Sequence, residues 1–187
     1  MNKFILGSSS KSRLELLEKI GIKPDIVAPA DIDETPLKNE KPEDYVKRIS
    51  IAKCQKTLKT YQQGCVLTAD TIVTRNRKII QKAHNNEELL KFLHFLSGKS
   101  CRVLTVISLG KDGKLITSKL VSTKIKFKNF TNLDIRQYLE FGNGLNKAGG
   151  IYIEGLMDSF VLEIHGSYSN IRGLPLYETR NLLLSNL

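Results

Sequence analysis

The chain opens with a short apolar run at residues 3–7 that reads as a buried strand, followed at once by Ser8, Ser9 and Ser10. Leu14, Leu16, Leu17 and Ile20 then recur at helical spacing, so residues 13–20 are predicted as a helix that Gly21 stops. Ser12 with Glu15 matches a capping box, and Ser10 is an equally good cap. Residues 29–42 are polar and rich in turn formers. Pro42, with Glu43 and Asp44 behind it, marks a second helix start, because proline is tolerated in a first turn and acids complement the helix dipole. Tyr45, Ile49, Ala52, Lys53 and Lys56 follow helical spacing, and this helix should run to about residue 61.

Residues 65–69 read as a buried strand that ends at Asp70 and Thr71, and residues 72–80 as a strand or hairpin. An amphipathic helix over 86–96 is stopped by Ser97 and Gly98. Residues 102–109 and 115–127 read as strands joined through Gly110, Lys111, Asp112 and Gly113, which is strong hairpin chemistry. Residues 131–141 are predicted as a helix capped by Thr131 with Asp134 in its first turn. A glycine-rich stretch, 142–155, follows, and residues 174–187 carry Pro175 near a helix start and a leucine run at 182–184. Strands and helices are interleaved with one clear antiparallel hairpin, which predicts an α/β fold on a mixed sheet with helices around it. No repeat, low-complexity tract or linker stands out, and 187 residues suit a single domain over 1–187 with room for two lobes.

Composition narrows the function classes. Hydrophobic residues at 41% and charged residues at 26% are ordinary for a globular protein. The formal net charge of +10 invites a nucleic-acid, membrane-surface or phosphorylated partner. The charge is dispersed, however, and lysine outnumbers arginine 21 to 8. The densest cluster, Lys124, Lys126 and Lys128, alternates along a strand and so shares one solvated face. Dispersed charge gives weak, salt-sensitive affinity, which argues against nucleic acid as the partner. The 3 cysteines (Cys54, Cys65, Cys101) are odd in number and form no C-x-x-C, which disfavours a disulfide framework or zinc site and fits a cytoplasmic protein. The N-terminal apolar run is too short for a signal peptide, and no stretch approaches the roughly 20 apolar residues of a membrane span.

Three groups of residues could carry chemistry. The serine loop between a strand and a helix is either an anion site, with Ser8 and Ser10 hydroxyls and the Arg13 fork beside backbone N–H groups, or simply a helix cap with Arg13 in solvent. It is not a P-loop, since no G-x-x-x-x-G-K-[ST] occurs. Asp70 at a strand end, with Asp31, Asp33 and Glu34 on a loop able to fold back beside it, can hold Mg²⁺; Asp33 and Glu34 can equally be turn formers. Lys53 on a largely apolar helix face, Lys82 and Lys147 either meet an anion or snorkel to solvent. His84, His94 and His165 lack metal-ligand spacing and read as structural, and no G-x-S-x-G occurs, so covalent catalysis has no support.

Taken in order, these pieces resemble the Maf family of septum-formation-inhibitor-like nucleotide pyrophosphatases, from Ile5 to about Leu184. The family opening L-A-S-x-S-P-R-R-x-E-L-L is matched by Leu6 through Leu17, its D-E pair by Asp33 and Glu34, and its R-x-A-x-x-K-A helix by Arg48 through Cys54. Its A-D-T is Ala69, Asp70 and Thr71, its G-K-P is represented by Gln81, Lys82 and Ala83, and its L-S-G by Leu96, Ser97 and Gly98. K-A-G at 147–149, G-S-Y-S-N at 166–170 and G-L-P-L-x-E-T at 173–179 complete the series.

The resemblance implies an elongated sheet like that of the inosine triphosphatases, with two lobes around a cleft. It also implies a divalent metal (Mg²⁺ or Mn²⁺), a homodimer, and hydrolysis of nucleoside triphosphates to monophosphate and pyrophosphate. It casts Asp70 as general base, Ser8, Arg13, Lys53 and Lys82 as triphosphate ligands, and Glu34 with Asp70 as metal ligands. Of the residues tied to choice of dTTP and UTP, only Thr71 is kept; Ser12 replaces an arginine and Glu154 a glutamine. The A-D-T and lysine motifs lean towards that branch over the 7-methyl-GTP branch, with modified nucleotides as further candidates. The two replacements motivate an alternative: a nucleotide-binding regulator of cell division with little turnover.

Overall fold

The computed structural model describes residues 3–186, and its frame is one mixed sheet. The long strands are β3 (Cys65–Arg75), β5 (Ser100–Lys111) and β6 (Lys114–Phe127), each antiparallel to the next. The turn from β5 to β6 places Asp112 and Gly113 at positive φ, the D-G turn that the sequence pattern predicts. On the other edge of β3, β1 (Phe4–Leu6) pairs in parallel with Cys65 to Leu67, and β4 (Lys78–Ile80) pairs antiparallel with Val73 to Arg75. Between them, residues 68–72 have no strand on that edge among the described residues. β2 (Ile26–Val27) adds to β1, and β7 (Val161–His165) to β6.

One expectation fails at the centre of this sheet. The apolar run predicts a strand ending in Asp70 and Thr71 with 72–80 continuing as a strand or hairpin; the hairpin forms with β4, but β3 runs unbroken through Asp70 and Thr71 to Arg75. The ladder with β5 explains it: pairing is continuous from Cys65 with Lys111 to Thr74 with Arg102, and Asp70 lies opposite Val106. What ends near Asp70 is the neighbouring strand β1.

Helices cover both faces. α2 (Pro42–Thr60) packs one face through Tyr45, Val46, Ile49, Cys54 and Leu58 against Val66, Ile72, Leu104 and Val106. The other face is divided. At one end α1 (Lys11–Lys19) and α6 (Leu176–Leu184) pack on Leu67, Ala69, Ile107 and Leu109. At the other end α3 (Asn86–Leu96) and α4 (Asn132–Phe141) pack on Val73, Cys101, Val103, Ile125 and Phe127. A polar seam separates these two cores, where the Thr71 and Thr105 hydroxyls share a 2.9 Å hydrogen bond. These are the two lobes, and the cleft opens at the seam.

The caps follow local chemistry. Ser10, not Ser12, caps α1, its hydroxyl accepting from the Arg13 amide at 3.4 Å, because Ser12 Oγ donates to the Arg172 carbonyl at 3.1 Å. Asn85 caps α3, and Thr131 with Asp134 forms a full capping box on α4. Elements too short to show a period, namely β2, β7, the 3-10 turn Leu156–Phe160 and α5 (Tyr168–Ile171), are outside the sequence pattern. Cys54, Cys65 and Cys101 are free and buried, and burial pushes their thiols up to about 11, 11 and 12. Lys124 and Lys126 are exposed on one face of β6, as alternation requires. Among the described residues no helix is long and apolar enough to cross a membrane.

The glycine-rich stretch is fixed by one buried side chain. Tyr138 of α4 donates its hydroxyl to the Gly150 carbonyl at 2.7 Å and accepts from the Tyr152 amide at 3.1 Å. Gly149, at φ 61, crosses β3 so closely that a Cβ there would lie 2.7 Å from Val73 Cβ. Replacing Tyr138 by Phe orphans two backbone groups, and denaturant unfolding should show a loss of about 1–3 kcal/mol. Hydrogen exchange at residues 150–152 should rise in the same variant; unchanged exchange there would contradict the pinning role.

Candidate active site

The cleft begins where β1 stops. The Gly7 amide donates to the Leu67 carbonyl at 2.8 Å, and the chain then turns away from β3. A Cβ on Gly7 would come within 2.5 Å of Thr68 Cγ2, so glycine is what permits the close approach. The serine loop follows directly, with Ser8 buried. Ser8 Oγ accepts from the Ser10 amide at 3.2 Å and from Arg13 Nη1 at 2.9 Å.

Arg13 does not point into solvent. Nε donates to the Gly173 carbonyl at 2.8 Å and Nη2 to Thr71 Oγ1 at 3.2 Å. The guanidinium therefore ties the serine loop, β3 and the segment before α6 into one rigid corner. Burial lowers its affinity for the proton, opposed by the charges of Asp70 and Glu34. Arginine remains charged all the same, so a fixed cation stands at the seam.

Asp70 faces the α2 side of this corner. Lys53, inward-facing with a side chain only 13% exposed, places Nζ 2.7 Å from Asp70 Oδ1 and 2.7 Å from Glu34 Oε1. That resolves the unusual lysine on an apolar face: it meets carboxylates instead of snorkelling. Burial raises the Asp70 carboxyl above its ordinary value, Lys53 and Arg13 pull it down, and Glu34 pushes it up again. The outcome is a carboxylate more basic than a solvated one.

The acidic loop is tied down in turn. Tyr45 donates its hydroxyl to the Glu34 carbonyl at 2.8 Å, and Arg48 Nη2 donates to the Thr35 carbonyl at 3.1 Å. Arg48 also grips both oxygens of Glu40 at 2.7 and 2.8 Å, which holds that carboxyl down at about 2. Lys56 Nζ donates to the Asp31 carbonyl. Asp33 accepts from the Thr35 amide at 2.9 Å and is a turn former, whereas Glu34 reaches Lys53. The ambiguity between turn and site thus divides between neighbouring residues.

The far wall is cationic. Lys82 bridges to Ala148, Lys147 Nζ lies 5.2 Å over the Tyr152 ring, and His84 Nδ1 is 3.2 Å from Asn146 Oδ1. His84 thereby lines the cleft, while His94 and His165 lie elsewhere. Ser12 and Glu154 line the remaining wall with Arg172, whose Nε is 2.7 Å from Glu154 Oε2. Arg172 and Tyr152 escape the sequence reading. The available signal is a lone charge between Ile171 and Gly173 in an otherwise apolar stretch.

The cavity measures ≈ 620 Å³, within the usual range for small-ligand sites. Ser8, Ser12, Arg13, Glu34, Lys53, Asp70, Thr71, Lys82 and Glu154 all border it. Among the described residues no three His, Cys, Asp or Glu side chains converge as a metal-binding group. Asp70 and Glu34 converge as a pair on Lys53. Two hard oxygen donors suit Mg²⁺ or Mn²⁺ shared with phosphates, rather than a metal enclosed by protein alone. Cations on several walls around one basic carboxylate are equipped to bind a polyanion and activate a water molecule.

A family model described as Maf-like protein matches residues 3–186. A dTTP/UTP pyrophosphatase of Zymomonas mobilis is 42% identical over 181 residues, covering 97% of this chain and 90% of the relative. A protein of the same name from Mesorhizobium japonicum is 44% identical over 189 residues, covering 98% and 91%. Among solved structures, a HAM1 protein from Coxiella burnetii superposes with a TM-score of 0.54 at 17% identity, covering 99% of this chain and 100% of that one. That likeness concerns the fold, and it agrees with the expected inosine-triphosphatase-like architecture.

The raised Asp70 carboxyl carries a sign that can be measured. Its proton is held more tightly in the folded than in the unfolded state, so stability is greatest at low pH and is lost as pH rises through the folded value. Asp70→Asn cannot ionise. In thermal melts the variant should therefore gain on the wild type as pH rises to neutrality; a variant that falls behind instead would show that Lys53 and Arg13 outweigh burial.

Proposed function

We propose that this chain, which belongs to the family of Maf-like proteins, is a nucleoside triphosphate pyrophosphatase that cleaves dTTP and UTP to the monophosphate and pyrophosphate. The observation that carries the reading is Asp70, a carboxylate made basic by burial and held 2.7 Å from Lys53 Nζ inside a cleft bordered by cations. The substrates follow from relatives above 40% identity that are named for them.

The residues divide the work as follows. Asp70 accepts a proton from the attacking water, and its raised basicity suits a general base. Attack at the α-phosphorus puts negative charge on phosphoryl oxygens and on leaving pyrophosphate. Arg13, Lys53 and Lys82 stabilise that charge in place, so positioning and electrostatics supply most of the rate. Arg13 has further N–H groups beyond those bound to Ser8, Thr71 and Gly173, and the Ser8 hydroxyl keeps its own proton to donate. Lys53 has a third N–H beyond those offered to Asp70 and Glu34. Asp70 and Glu34 would hold the divalent cation. When bound, Mg²⁺ or Mn²⁺ supplies Lewis-acid neutralisation of phosphate oxygens.

The same reading includes one catalytic domain over residues 1–187, a cytoplasmic setting supported by three free cysteines, and a homodimer. Association of two copies finds support in Leu115, Ile116 and Leu120, exposed along the stretch of β6 that β7 does not pair.

The test is hydrolysis of a triphosphate panel with Mg²⁺ or Mn²⁺, with products identified. Monophosphate plus pyrophosphate is expected, with Asp70→Asn slower by about 10²–10⁴-fold. Orthophosphate plus diphosphate, or full turnover in Asp70→Asn, would sink the reading. Tight nucleotide binding without product would favour a nucleotide-binding regulator of cell division.

A further inference from the structure

Of the described cleft cations to which the phosphate chemistry gives no role, Lys11 and Lys147 are exposed, whereas Arg172 buries its side chain. Its side chain is 3% exposed, yet it lines the cavity just after α5. A guanidinium cannot shed its charge on burial, so it must be partnered. Nη2 donates to Glu15 Oε2 at 3.1 Å, and Nε lies 2.7 Å from Glu154 Oε2. The second contact is close but not aligned: the Nε hydrogen has no acceptor in line with it. Among the described residues Glu154 Oε1 accepts no hydrogen bond and its side chain is 29% exposed, so Oε1 remains an acceptor. Taken by itself the Arg172–Glu154 pair is neutral, with Glu15 on the exposed side of Arg172, and it is open to the cleft and unsatisfied at a donor.

The backbone places this pair in register with the phosphate site. The Arg172 carbonyl receives Ser12 Oγ, and the very next carbonyl, that of Gly173, receives Arg13 Nε. Whatever Arg172 binds is therefore held at a fixed offset from whatever Arg13 binds. The wall with Lys82 and Lys147 is cationic and suits phosphates. The Arg172–Glu154 pair on the other wall is neutral and polar, and it suits a flat, uncharged, hydrogen-bonding group. In a nucleotide that group is the base.

A uracil or thymine edge presents a ring N–H flanked by carbonyls. A carboxylate alone accepts the N–H but faces the carbonyl oxygens with negative charge. A guanidinium beside it turns that repulsion into a hydrogen bond. Cytosine offers a ring lone pair where uracil has N–H, and the carboxylate then meets a lone pair. We propose that Arg172 is a specificity-determining residue of the pyrophosphatase: it donates to a base carbonyl while Glu154 accepts the ring N–H, so that the pair selects keto pyrimidines. The inference rests on the hydrolytic reading above.

The test is a cycle of four proteins, wild type, Arg172→Met, Glu154→Gln and the double variant, with kcat and KM measured for UTP and CTP. Arg172→Met should lower kcat/KM for UTP roughly tenfold to hundredfold through KM, the size of a charged hydrogen bond, and change CTP by less than about threefold. In the double variant the glutamine amide supplies donor and acceptor by itself, so the preference for UTP should return. A merely structural arginine would not be rescued in this way. Arg172→Lys, which keeps charge and a donor but loses the fork, should be intermediate and stands in if the methionine variant melts early. Equal losses on UTP and CTP, or a double variant no more selective than Arg172→Met, would overturn the proposal. Titration of the non-cleavable α,β-imido analogues of UTP and CTP repeats the comparison without turnover. A wild type that binds with the expected contrast but yields no product removes the hydrolytic reading alone; one that hydrolyses without the contrast removes this one alone.

Discussion

Between Leu67 and Val73 one edge of β3 has no neighbouring strand among the described residues, although its other edge is hydrogen-bonded to β5 throughout. A strand left open on one side in mid-sheet must satisfy its polar groups by other means or offer them to a ligand. Everything in the cleft is arranged around that opening. The serine loop leaves β1 at its lip, α2 brings Lys53 to it from one face, α1 brings Arg13 from the other, and Lys82 follows β4 at its far end. Asp70 can be buried and still border the cleft because β5 holds one edge of its strand while no described strand covers the other.

The same opening explains what the sequence made legible. Long periodic elements with strong caps or turns, α2, α3, α4 and the β5–β6 hairpin, are written in local chemistry and were readable from it. The apolar run breaks at Asp70 and Thr71 because polar side chains border the cleft there, whereas burial and backbone pairing both continue beyond them, so the break marks the cleft and not a strand end. Lys53 was visible as an oddity, a charge on an apolar face, but the carboxylates that explain it lie on a loop and on another strand. Asp33 and Glu34 looked alike; one hydrogen bond from the Thr35 amide separates turn from site. Arg172 was silent, since it sits in no periodic element and Glu15, one of its partners, lies 157 residues away.

Charge in this protein works at two scales that do not inform one another. The +10 of the whole chain is carried largely by dispersed lysines such as Lys124 and Lys126, which face water. Inside the cleft two inward-facing cations are matched by carboxylates, Lys53 by Asp70 and Glu34 and Arg172 by Glu15 and Glu154, while Arg13 is held by neutral acceptors. Local matching is what permits burial, because an ion pair stripped of one member leaves an uncompensated charge in a poor solvent for it. Net charge consequently said little about the ligand, whereas individual pairings say much.

The two lobes are not joined by a flexible connector. β3 contributes Leu67 and Ala69 to one core and Val73 to the other, and β5 contributes Ile107 and Leu109 to one and Cys101 and Val103 to the other. Both strands cross the seam unbroken, bonded to each other along their length. Lobes linked by a loop swing like a door; lobes sharing a sheet can approach only if the sheet itself coils more tightly, as a leaf spring is wound. The aperture of the cleft is then an elastic property of a β-ladder, spread over many residues, and a substitution far from the ligand that alters strand twist would change the grip on it without touching any residue that makes contact.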